Sequence, residues 1–260
     1  MRIASWNVNS LKARLPIVLD WCRAGSADIL LLQELKLTDE AMPVEAFDEI
    51  GWHCLSHGQK TYNGVAILSK YPIREVRRGL PLLEDSETDE QARWLEAEIE
   101  GLHLASLYLP NGNPRPGPKF DYKLSWMERL IRHAATLIAS EKPVILGGDY
   151  NIIPQAIDCW DPALWAEDAL YHPDSRAAFF ALCNQGWTDA IRAIHPTGAH
   201  YSYWDYQAGA WQKNNGIRID HLLLSPEAAD RLQAAGIDRQ PRGLERPSDH
   251  TPVWCDLALV

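Results

Sequence analysis

The sequence lacks the features of a membrane protein, of a secreted protein and of a small disulfide-stabilised domain. No hydrophobic run approaches the roughly 20 residues that are needed to cross a bilayer. The chain begins directly with the strand-like MRIASWNV, without the basic start, apolar stretch and cleavage site of a secretory signal. Its five cysteines are scattered and form no CxxC pair, which argues against a zinc site. We therefore expect a cytoplasmic protein with reduced thiols and no membrane partner.

The chain also lacks the excess of positive charge that is typical of proteins that bind nucleic acid through phosphate neutralisation. Its 25 Lys and Arg residues and 35 Asp and Glu residues give a formal net charge of −10. A polyanionic partner must therefore be met by a local positive patch or by a bound cation. We see no repeat of short fixed period and no low-complexity linker, and we predict one domain over residues 1–260.

The hydrophobic pattern predicts strands that alternate only in part with helices. Strands are expected at RIASWNV, DILLLQEL, NGVAILS, RWLEAEIEG, LHLASLYL, PVILGGDYN, IRIDHLLLS and TPVWCDLALV. Helices are expected after Ser10, over 120–138, around 175–184 and after Pro226, and the acidic segment 84–91 is expected to be a solvated loop. The hairpin around Gly101 fits poorly with a purely parallel sheet. We predict an α/β fold in which two packed sheets carry helices on their outer faces.

Polar side chains collect where these apolar strands end. They are Asn7, Glu34, Tyr108, Asn111, Asp149, Asn151, Asp220, Ser248, Asp249 and His250. Any one of them is explained more simply as a turn, cap or packing residue. As a set, however, they predict a shared cleft at one edge of the paired sheets.

The residue types in this set favour one kind of chemistry. Carboxylate and amide oxygens around Glu34 are hard ligands that suit Mg²⁺ or Mn²⁺ and not zinc. His250 titrates near neutrality, and a carboxylate such as Asp220 can hold its ring in one tautomer. If Asp220 faces the cleft, the next residue, His221, faces away and packs inside the protein. The set suits metal-assisted hydrolysis of a phosphate ester.

Seven segments of the sequence resemble, in the same order, the signature blocks of the exonuclease III class of abasic-site endonucleases. They are WNVNSLKAR, LLQELK, NGVAILSK, LYLPNG, GGDYNI, GIRIDHLLLS and PSDHTPVW, and they span nearly the whole chain. That class belongs to the endonuclease/exonuclease/phosphatase superfamily. The resemblance implies a monomer with a four-layer α/β sandwich, in which two mixed β-sheets are flanked by helices. It also implies Mg²⁺-dependent cleavage 5′ to abasic sites in duplex DNA, with Mn²⁺ as a substitute, together with 3′-to-5′ exonuclease action and removal of 3′-blocking groups such as phosphates.

The resemblance implies a metal site with Glu34 as the principal ligand and Asn7 beside it. The metal site as a whole is predicted to comprise Asn7, Glu34, Asp149, Asn151, Asp249 and His250. The resemblance further implies that Asp149 positions or deprotonates the attacking water and that Asn151 orients the phosphate.

The remaining site residues are also matched by resemblance. Tyr108 and Asn111 correspond to a phenol and an amide that contact the phosphate or the leaving group, and His250 corresponds to a histidine paired with Asp220. Either His250 or Asp149 can be the working base.

The segment YSYWDYQ resembles an aromatic stretch that packs against a flipped abasic sugar. Tyr203 and Trp204 are the candidates, with Ile219 opposite them, although a core position explains Trp204 equally well. The loop PNGNPRPGP aligns poorly with the family, and Arg115 and Lys119 are the candidate DNA contacts near it.

Two other functions are compatible with parts of this pattern. The first is hydrolysis of a small or lipid phosphoester by the same chemistry, which a pocket for a lipid headgroup would favour. The second is a non-catalytic nucleic-acid-binding module, although such a module could lose Glu34, Asp149 or His250 without consequence, and all three are present.

Overall fold

The computed structural model describes residues 1–83 and 88–258, which form two mixed β-sheets with helices on their outer faces. The first four residues of the acidic segment predicted at 84–91 therefore lie outside the described residues. The remainder, 88–91, contains neither helix nor strand, as expected.

Twelve strands and seven α-helices are present in the described residues. The strands are β1 (Arg2–Asn7), β2 (Ile29–Gln33), β3 (His53–His57), β4 (Val65–Ser69), β5 (Arg74–Arg78), β6 (Trp94–Ile99), β7 (Leu102–Tyr108), β8 (Val144–Asp149), β9 (Thr188–Asp189), β10 (Asp220–Leu224), β11 (Leu232–Ile237) and β12 (Val253–Leu257). The helices are α1 (Leu11–Arg23), α2 (Val44–Asp48), α3 (Pro118–Ile138), α4 (Pro173–Cys183), α5 (Ala190–Ile194), α6 (Ala210–Lys213) and α7 (Pro226–Ala229). None of these helices has the length and apolar character required to cross a membrane.

Each sheet has six strands. The order in the first sheet is β11-β12-β1-β2-β4-β3, and the order in the second is β5-β6-β7-β8-β10-β9. Apolar side chains from the inner faces, such as Leu31, Ile145 and Leu222, form a dry core between the sheets. Two further cores lie outside it, one between the first sheet and α1 and α2, the other between the second sheet and α3 and α4. The predicted four-layer α/β sandwich is confirmed.

Helix α3 illustrates how the sequence builds an outer layer. Pro118 is in its first turn, where a backbone N–H would have no hydrogen-bond acceptor within the helix, so that a proline is tolerated. Trp126, Leu130 and Leu137 lie on one helical face and are buried against the second sheet, while the opposite face meets solvent. Pro143 follows shortly after the helix ends and leads into β8.

The two sheets approach one another closely at Gly147 of β8. A Cβ atom at this position would lie 2.5 Å from Cδ1 of Leu31 on β2, so that a larger residue would displace the Leu31 side chain from the core between the sheets. Nearby, the Gln33 side-chain amide donates a hydrogen bond of 3.2 Å to the hydroxyl of Ser106 across the sheet interface. These contacts fix the position of the two sheets relative to each other, close to the edge at which the predicted site residues lie.

The strand directions bring the predicted site residues to one edge of the sandwich. Strands β1 and β2 run parallel, as do β7 and β8, and the carboxyl ends of both pairs meet at this edge. Within the second sheet, Tyr108, Asp149 and Asp220 are in register on three neighbouring strands. The segment before β12 brings His250 to the same edge.

The structure differs from the predicted secondary structure at several strands. The strand predicted at IRIDHLLLS begins only at Asp220, because Ile217 instead forms isolated bridges with Tyr203 and Cys159. Strands β3, β5, β9 and β11 were not expected from the sequence. His221 is fully buried, packs against Tyr150 and contacts the carbonyl oxygen of Ile152, as expected.

Candidate active site

Glu34 occupies the turn that follows β2. Its backbone is left-handed, with φ of 54°, an uncommon conformation for a residue other than glycine that is often found at functional sites. Its Oε1 accepts hydrogen bonds of 2.9 Å from both the Asn7 amide and the Tyr108 hydroxyl, and its Oε2 lies 2.9 Å from Nζ of Lys36. Burial alone would raise the pKa of Glu34, but the bonds from Asn7 and Lys36 outweigh it and lower the pKa. Glu34 is therefore ionised at neutral pH.

Asn7 connects the two sheets at the site. Its side-chain nitrogen donates to Glu34 and, at 2.9 Å, to Oδ2 of Asp149, while its side-chain oxygen accepts from the main-chain N–H of Asn9. In this arrangement Asn7 acts as a donor that holds two carboxylates close together. Its predicted role as a metal ligand stays a prediction.

Asp149 ends β8 and has only 1% of its surface exposed. Its Oδ1 accepts a 2.8 Å hydrogen bond from the main-chain N–H of Asn151, which fixes the carboxylate towards the cavity. Burial raises the pKa of Asp149, and the charge of Asp220 adds to this, whereas His250 opposes it. A carboxylate with a raised pKa is a stronger base than an ordinary aspartate, which is what general-base chemistry requires.

His250 lies between two aspartates. Its Nδ1 is 2.8 Å from Oδ2 of Asp220, and its Nε2 is 3.8 Å from Oδ2 of Asp149. Burial alone would lower the pKa of His250, but the charges of Asp220 and Asp149 outweigh it and raise the pKa. The ring is held further by Tyr203, which packs edge-on against it with ring centroids 4.9 Å apart.

Two amides and a phenol complete the polar wall of the site. The Asn111 amide donates a 3.1 Å hydrogen bond to the side-chain oxygen of Asn151, whose own nitrogen donates to the carbonyl of Leu109. Burial, together with the charge of Glu34, raises the pKa of Tyr108 well above its ordinary value, so that the phenol remains a hydrogen-bond donor.

These side chains surround one cavity of about 300 Å³. Its lining comprises Glu34, Tyr108, Asn111, Asn113, Asp149, Asn151, Trp165, Asp168, Leu170, Tyr203, Ile219, Asp249 and His250. The carboxylates and amides described above are part of this lining. The aromatic and aliphatic side chains of the lining, Trp165, Leu170, Tyr203 and Ile219, belong to one apolar cluster.

Two hollows adjoin the cavity and carry positive charge. One is about 410 Å³ and shares Glu34 and Tyr108 with the cavity, and it includes Lys36 and Arg93. The other is about 380 Å³ and includes Arg93 and Lys119. Because Lys36 is paired with Glu34, the local positive patch consists mainly of Arg93 and Lys119. Such a patch is what an acidic protein needs in order to bind a polyanionic partner. A larger hollow of about 800 Å³ beside Arg129 is lined by several carboxylates, and Arg129 there is already paired with Asp89, so it suits a phosphate poorly.

The comparisons with known proteins agree with this geometry. The sequence profile of the Endonuclease/Exonuclease/phosphatase family matches residues 4–250. The chain belongs to this family. Exodeoxyribonuclease III of Haemophilus influenzae is 33% identical over 269 aligned residues, which cover 99% of this chain and 100% of that protein.

Solved structures give the same result. A 3′ phosphatase from Neisseria, bound to a product DNA hairpin, is 41% identical with a TM-score of 0.95. An AP endonuclease from Archaeoglobus fulgidus is 35% identical with a TM-score of 0.94, and each comparison covers 100% of both chains. The resemblance to the exonuclease III class is confirmed, and the chain is a nuclease of this family.

The structure brings most of the predicted site residues of this nuclease together, with two exceptions. Trp204 is fully buried, donates to the side chain of Asn214 and packs edge-on against Trp211, so that it lies in the core and not on the cavity wall. Arg115 is paired with Glu167 at 2.8 Å and does not line the cavity. Trp204 therefore occupies the core position that the sequence left open as the alternative, whereas the role of Arg115 in contacting DNA stays a prediction.

Sequence reasoning missed several residues of the cavity wall. Asn113, Trp165, Asp168 and Leu170 come from two loops that are joined by hydrogen bonds between Asn113 and Asp168 and between Asn113 and the N–H of Ala169. No spacing within either loop marks these residues. Lys36 lies within the block LLQELK and could have been identified from its place two residues after Glu34.

The donor set fits a divalent metal ion. Asp149, Asp220 and His250 form a buried group whose ligand atoms all lie within 4.8 Å of one another. Asp220 and His250, however, are already bonded to each other. The carboxylates of Glu34 and Asp149, which Asn7 holds together, are the better pair for a hard cation, with Asp249 at the cavity wall.

Proposed function

We propose that this nuclease is a metal-dependent DNA repair enzyme that breaks the bond between phosphorus and the 3′ oxygen of DNA. The observation that carries the proposal is the row Asp220–His250–Asp149, which faces Glu34 across one cavity. The full-length similarity to exodeoxyribonuclease III, to a 3′ phosphatase and to an AP endonuclease supports the same conclusion.

One reaction accounts for three activities. A water molecule adds to phosphorus, the bond from phosphorus to the 3′ oxygen breaks, and that oxygen gains a proton to become a 3′ hydroxyl. If the phosphate carries nothing else, the enzyme is a 3′ phosphatase. If it carries one terminal nucleotide, the enzyme is a 3′-to-5′ exonuclease, and if it carries an abasic sugar within duplex DNA, the enzyme cuts 5′ to the lesion.

The geometry supports Asp149 as the base and His250 as a donor. Nδ1 of His250 is bonded to Asp220, and its Nε2 lies 3.8 Å from Oδ2 of Asp149 at the cavity wall. The charges of the two aspartates raise the pKa of His250, which favours the ring as a proton carrier and donor. Asp149 then takes the proton of water, while the Nε2–H of His250 stabilises negative charge on the phosphoryl oxygens.

The amides and the phenol hold the phosphate. Asn111 and Asn151 present their side chains to the cavity from neighbouring loops, and Tyr108 presents its hydroxyl from the end of β7. Because these groups are held in place before the substrate binds, they lose little free energy through reorganisation during the reaction.

The apolar part of the cavity lining suits a sugar that has no base. Tyr203 and Ile219 face the same space as Trp165 and Leu170, and the whole cavity is only about 300 Å³. A hollow of this size and character admits an abasic sugar and excludes a sugar that carries a stacked base. Lys36, Arg93 and Lys119 in the adjoining hollows would contact the flanking phosphates.

The metal of this site is Mg²⁺, for which Mn²⁺ can substitute. Glu34 would be the principal ligand of the ion, with Asp149 and Asp249 near it, because hard carboxylate oxygens are the ligands that Mg²⁺ prefers. When bound, the ion neutralises charge on the phosphate. We further propose that the chain acts as a monomeric single domain in the cytoplasm, in keeping with its five free cysteines.

The test uses three end-labelled duplexes, which carry one abasic analogue, one 3′ phosphate or no modification. Each is incubated with Mg²⁺, with Mn²⁺ and with EDTA. We expect metal-dependent nicking 5′ to the lesion, release of the 3′ phosphate and slower shortening of the unmodified duplex from its 3′ end. If none of the duplexes is cleaved while a small or lipid phosphoester is hydrolysed, the proposed substrate is wrong.

A further inference from the structure

A fully buried lysine lies behind the phosphate-binding amides of the site. Lys123 projects from α3 and has no exposed surface, a rare condition for a charged side chain. Its Nζ donates hydrogen bonds of 3.0 Å to the carbonyl of Asn111 and 2.6 Å to the carbonyl of Asn151. Its partners are thus two main-chain oxygens, one on each of the loops that carry the amides.

At Asn111 and Asn151 the two loops are not held together by the hydrogen bonds of a β-strand pair. Asn111 follows the end of β7 and Asn151 follows the end of β8, where the strand hydrogen bonds have stopped. Asn151 has a left-handed backbone with φ of 48°, which surrounding contacts have to maintain. Lys123 supplies such a contact from the inner side, whereas the side-chain bond between the two amides lies on the cavity side.

The loop is shaped to admit the lysine. Gly112 follows Asn111 with φ of 91°, and a Cβ atom there would lie 2.6 Å from Cδ of Lys123. Any side chain at Gly112 would therefore push the lysine stem away from the two carbonyls. The glycine and the lysine form one unit beneath the phosphate-binding wall.

We propose that Lys123 is a positioning residue for the nuclease reaction, which holds the main chain at Asn111 and Asn151 so that both amides face the phosphate. The proposal rests on the function proposed above for the two amides. Without the lysine, the carbonyls of Asn111 and Asn151, of which the second is buried, lose this donor and the loops can move apart. A displacement of about 1 Å at such a site can reduce the rate on the order of 100-fold.

The test compares Lys123→Met with Arg129→Met. Methionine keeps the length of the lysine stem and removes its donor. Arg129 is the control, because it projects from the same helix, is 6% exposed and donates to two carbonyls, those of Leu80 and Pro81, away from the cavity. It also pairs with Asp89, so its replacement is the more severe loss of buried contacts. Both variants lose a buried cation that bonds main-chain oxygens, and both are expected to unfold at a lower temperature than the wild-type protein.

The decisive readout is the steady-state rate on a 3′-phosphorylated duplex, measured well below the unfolding temperature of each variant. We expect Lys123→Met to lower kcat on the order of 100-fold with little change in KM, because the amides are displaced in the transition state. Arg129→Met should keep the kcat of the wild-type protein. Equal loss of kcat in both variants, or unchanged kcat in Lys123→Met, would overturn the proposal.

A second variant and the wild-type protein complete the design. If Lys123→Met does not fold, Lys123→Gln, which keeps a neutral donor on a shorter stem, is judged by the same comparison with Arg129→Met. Failure of the wild-type protein to cleave the duplex would contradict the proposed function. If the wild-type protein is active and the lysine variant keeps the same kcat, only the proposed role of Lys123 is contradicted.

Discussion

Oδ2 of Asp220 lies 2.8 Å from Nδ1 of His250 and also accepts a 2.6 Å hydrogen bond from the hydroxyl of Ser202. The carboxylate is fully buried at the start of β10, and its position is therefore fixed by the sheet. This bond orients the imidazole, and the charge of Asp220 acts together with that of Asp149 to raise the pKa of His250.

Asp220→Asn should lower kcat about 10–100-fold, as is usual when the partner that orients a functional histidine is changed. The neutral amide no longer stabilises the charged ring, so the pKa of His250 should fall. The measurement is the rate of nicking between pH 6 and pH 10, with the unfolding temperature of the variant recorded alongside. A variant with the rate and pH profile of the wild-type protein would contradict the role of this pair.

Asp149→Asn should reduce cleavage about 100-fold or more, the scale typical of a lost general base, while duplex binding changes far less. In the proposed mechanism Asp149 takes the proton of the attacking water, whereas DNA binding is assigned mainly to the amides and the positive hollows. Rates come from single-turnover nicking and affinities from fluorescence anisotropy of a labelled duplex. Equal losses of rate and affinity would mean that Asp149 has a structural role.

Removal of the metal should abolish cleavage, and Mg²⁺ should restore it. Glu34→Gln should raise the Mg²⁺ concentration that gives half-maximal rate about tenfold or more, because a charged hard ligand is lost. Titration of the rate with Mg²⁺ after treatment with EDTA measures this shift. Glu128→Gln, an exposed change on α3, is the control and should titrate like the wild-type protein.

Glu96 on β6 should make stability depend on pH. It is 1% exposed and lies within 2.8 Å of the side chains of Trp94, His103 and His133, with Arg77 at 3.7 Å. Burial alone would raise its pKa, but the bonds from the two histidines outweigh it and lower the pKa to about 2. The carboxylate therefore stabilises the fold above its ordinary pKa, and this contribution is lost as the pH falls towards 2.

Glu96→Gln should lower the free energy of unfolding at pH 7 by roughly 2–3 kcal/mol. Below pH 4.5 the free energy of unfolding of the variant should decrease less steeply with falling pH than that of the wild-type protein. Urea unfolding at several pH values measures both effects. A decline as steep as that of the wild-type protein would show that other carboxylates cause the loss of stability in acid.

Tyr203 and Trp204 are adjacent in the sequence but should respond differently to substitution. Trp204→Ala should cost about 3–5 kcal/mol of stability, because a fully buried ring is removed from the core. Tyr203→Ala should lower kcat/KM on an abasic duplex about tenfold or more, since an apolar contact in the cavity is lost. Thermal unfolding and steady-state rates separate the two effects, and a selective loss of activity in Trp204→Ala would restore its predicted role.

The central strands and the site edge were predictable because their sequence signals are local. Buried strands such as β2 and β8 are short apolar runs that end in a polar residue, and the strand ends identify Glu34 and Asp149 as members of one set. The edge strand β5 was missed because all five of its residues are exposed and four of them are charged. Such a strand owes its conformation to pairing with β6 and not to its own pattern.

Contacts between distant parts of the chain account for the parts of the site that were missed. Trp165 and Asp168 line the cavity only because their loop is joined to Asn113, more than 50 residues earlier. Lys123 has the spacing of an ordinary core residue on an amphipathic helix, and nothing in the sequence indicates that its ammonium reaches two loops. The sequence alone does not show which of the neighbours Tyr203 and Trp204 faces the cavity and which is buried in the core. The backbone conformation of the structure is needed to distinguish them.

Strand β1 lies between β2 and β12, so the first sheet joins the beginning of the described chain to its end. The pairing of β12 with β1 therefore holds the segment that carries His250 next to the strand that carries Asn7. Separation of β12 from β1 would open the first sheet and move His250 away from the carboxylates, so that loss of this pairing and loss of the site would occur together.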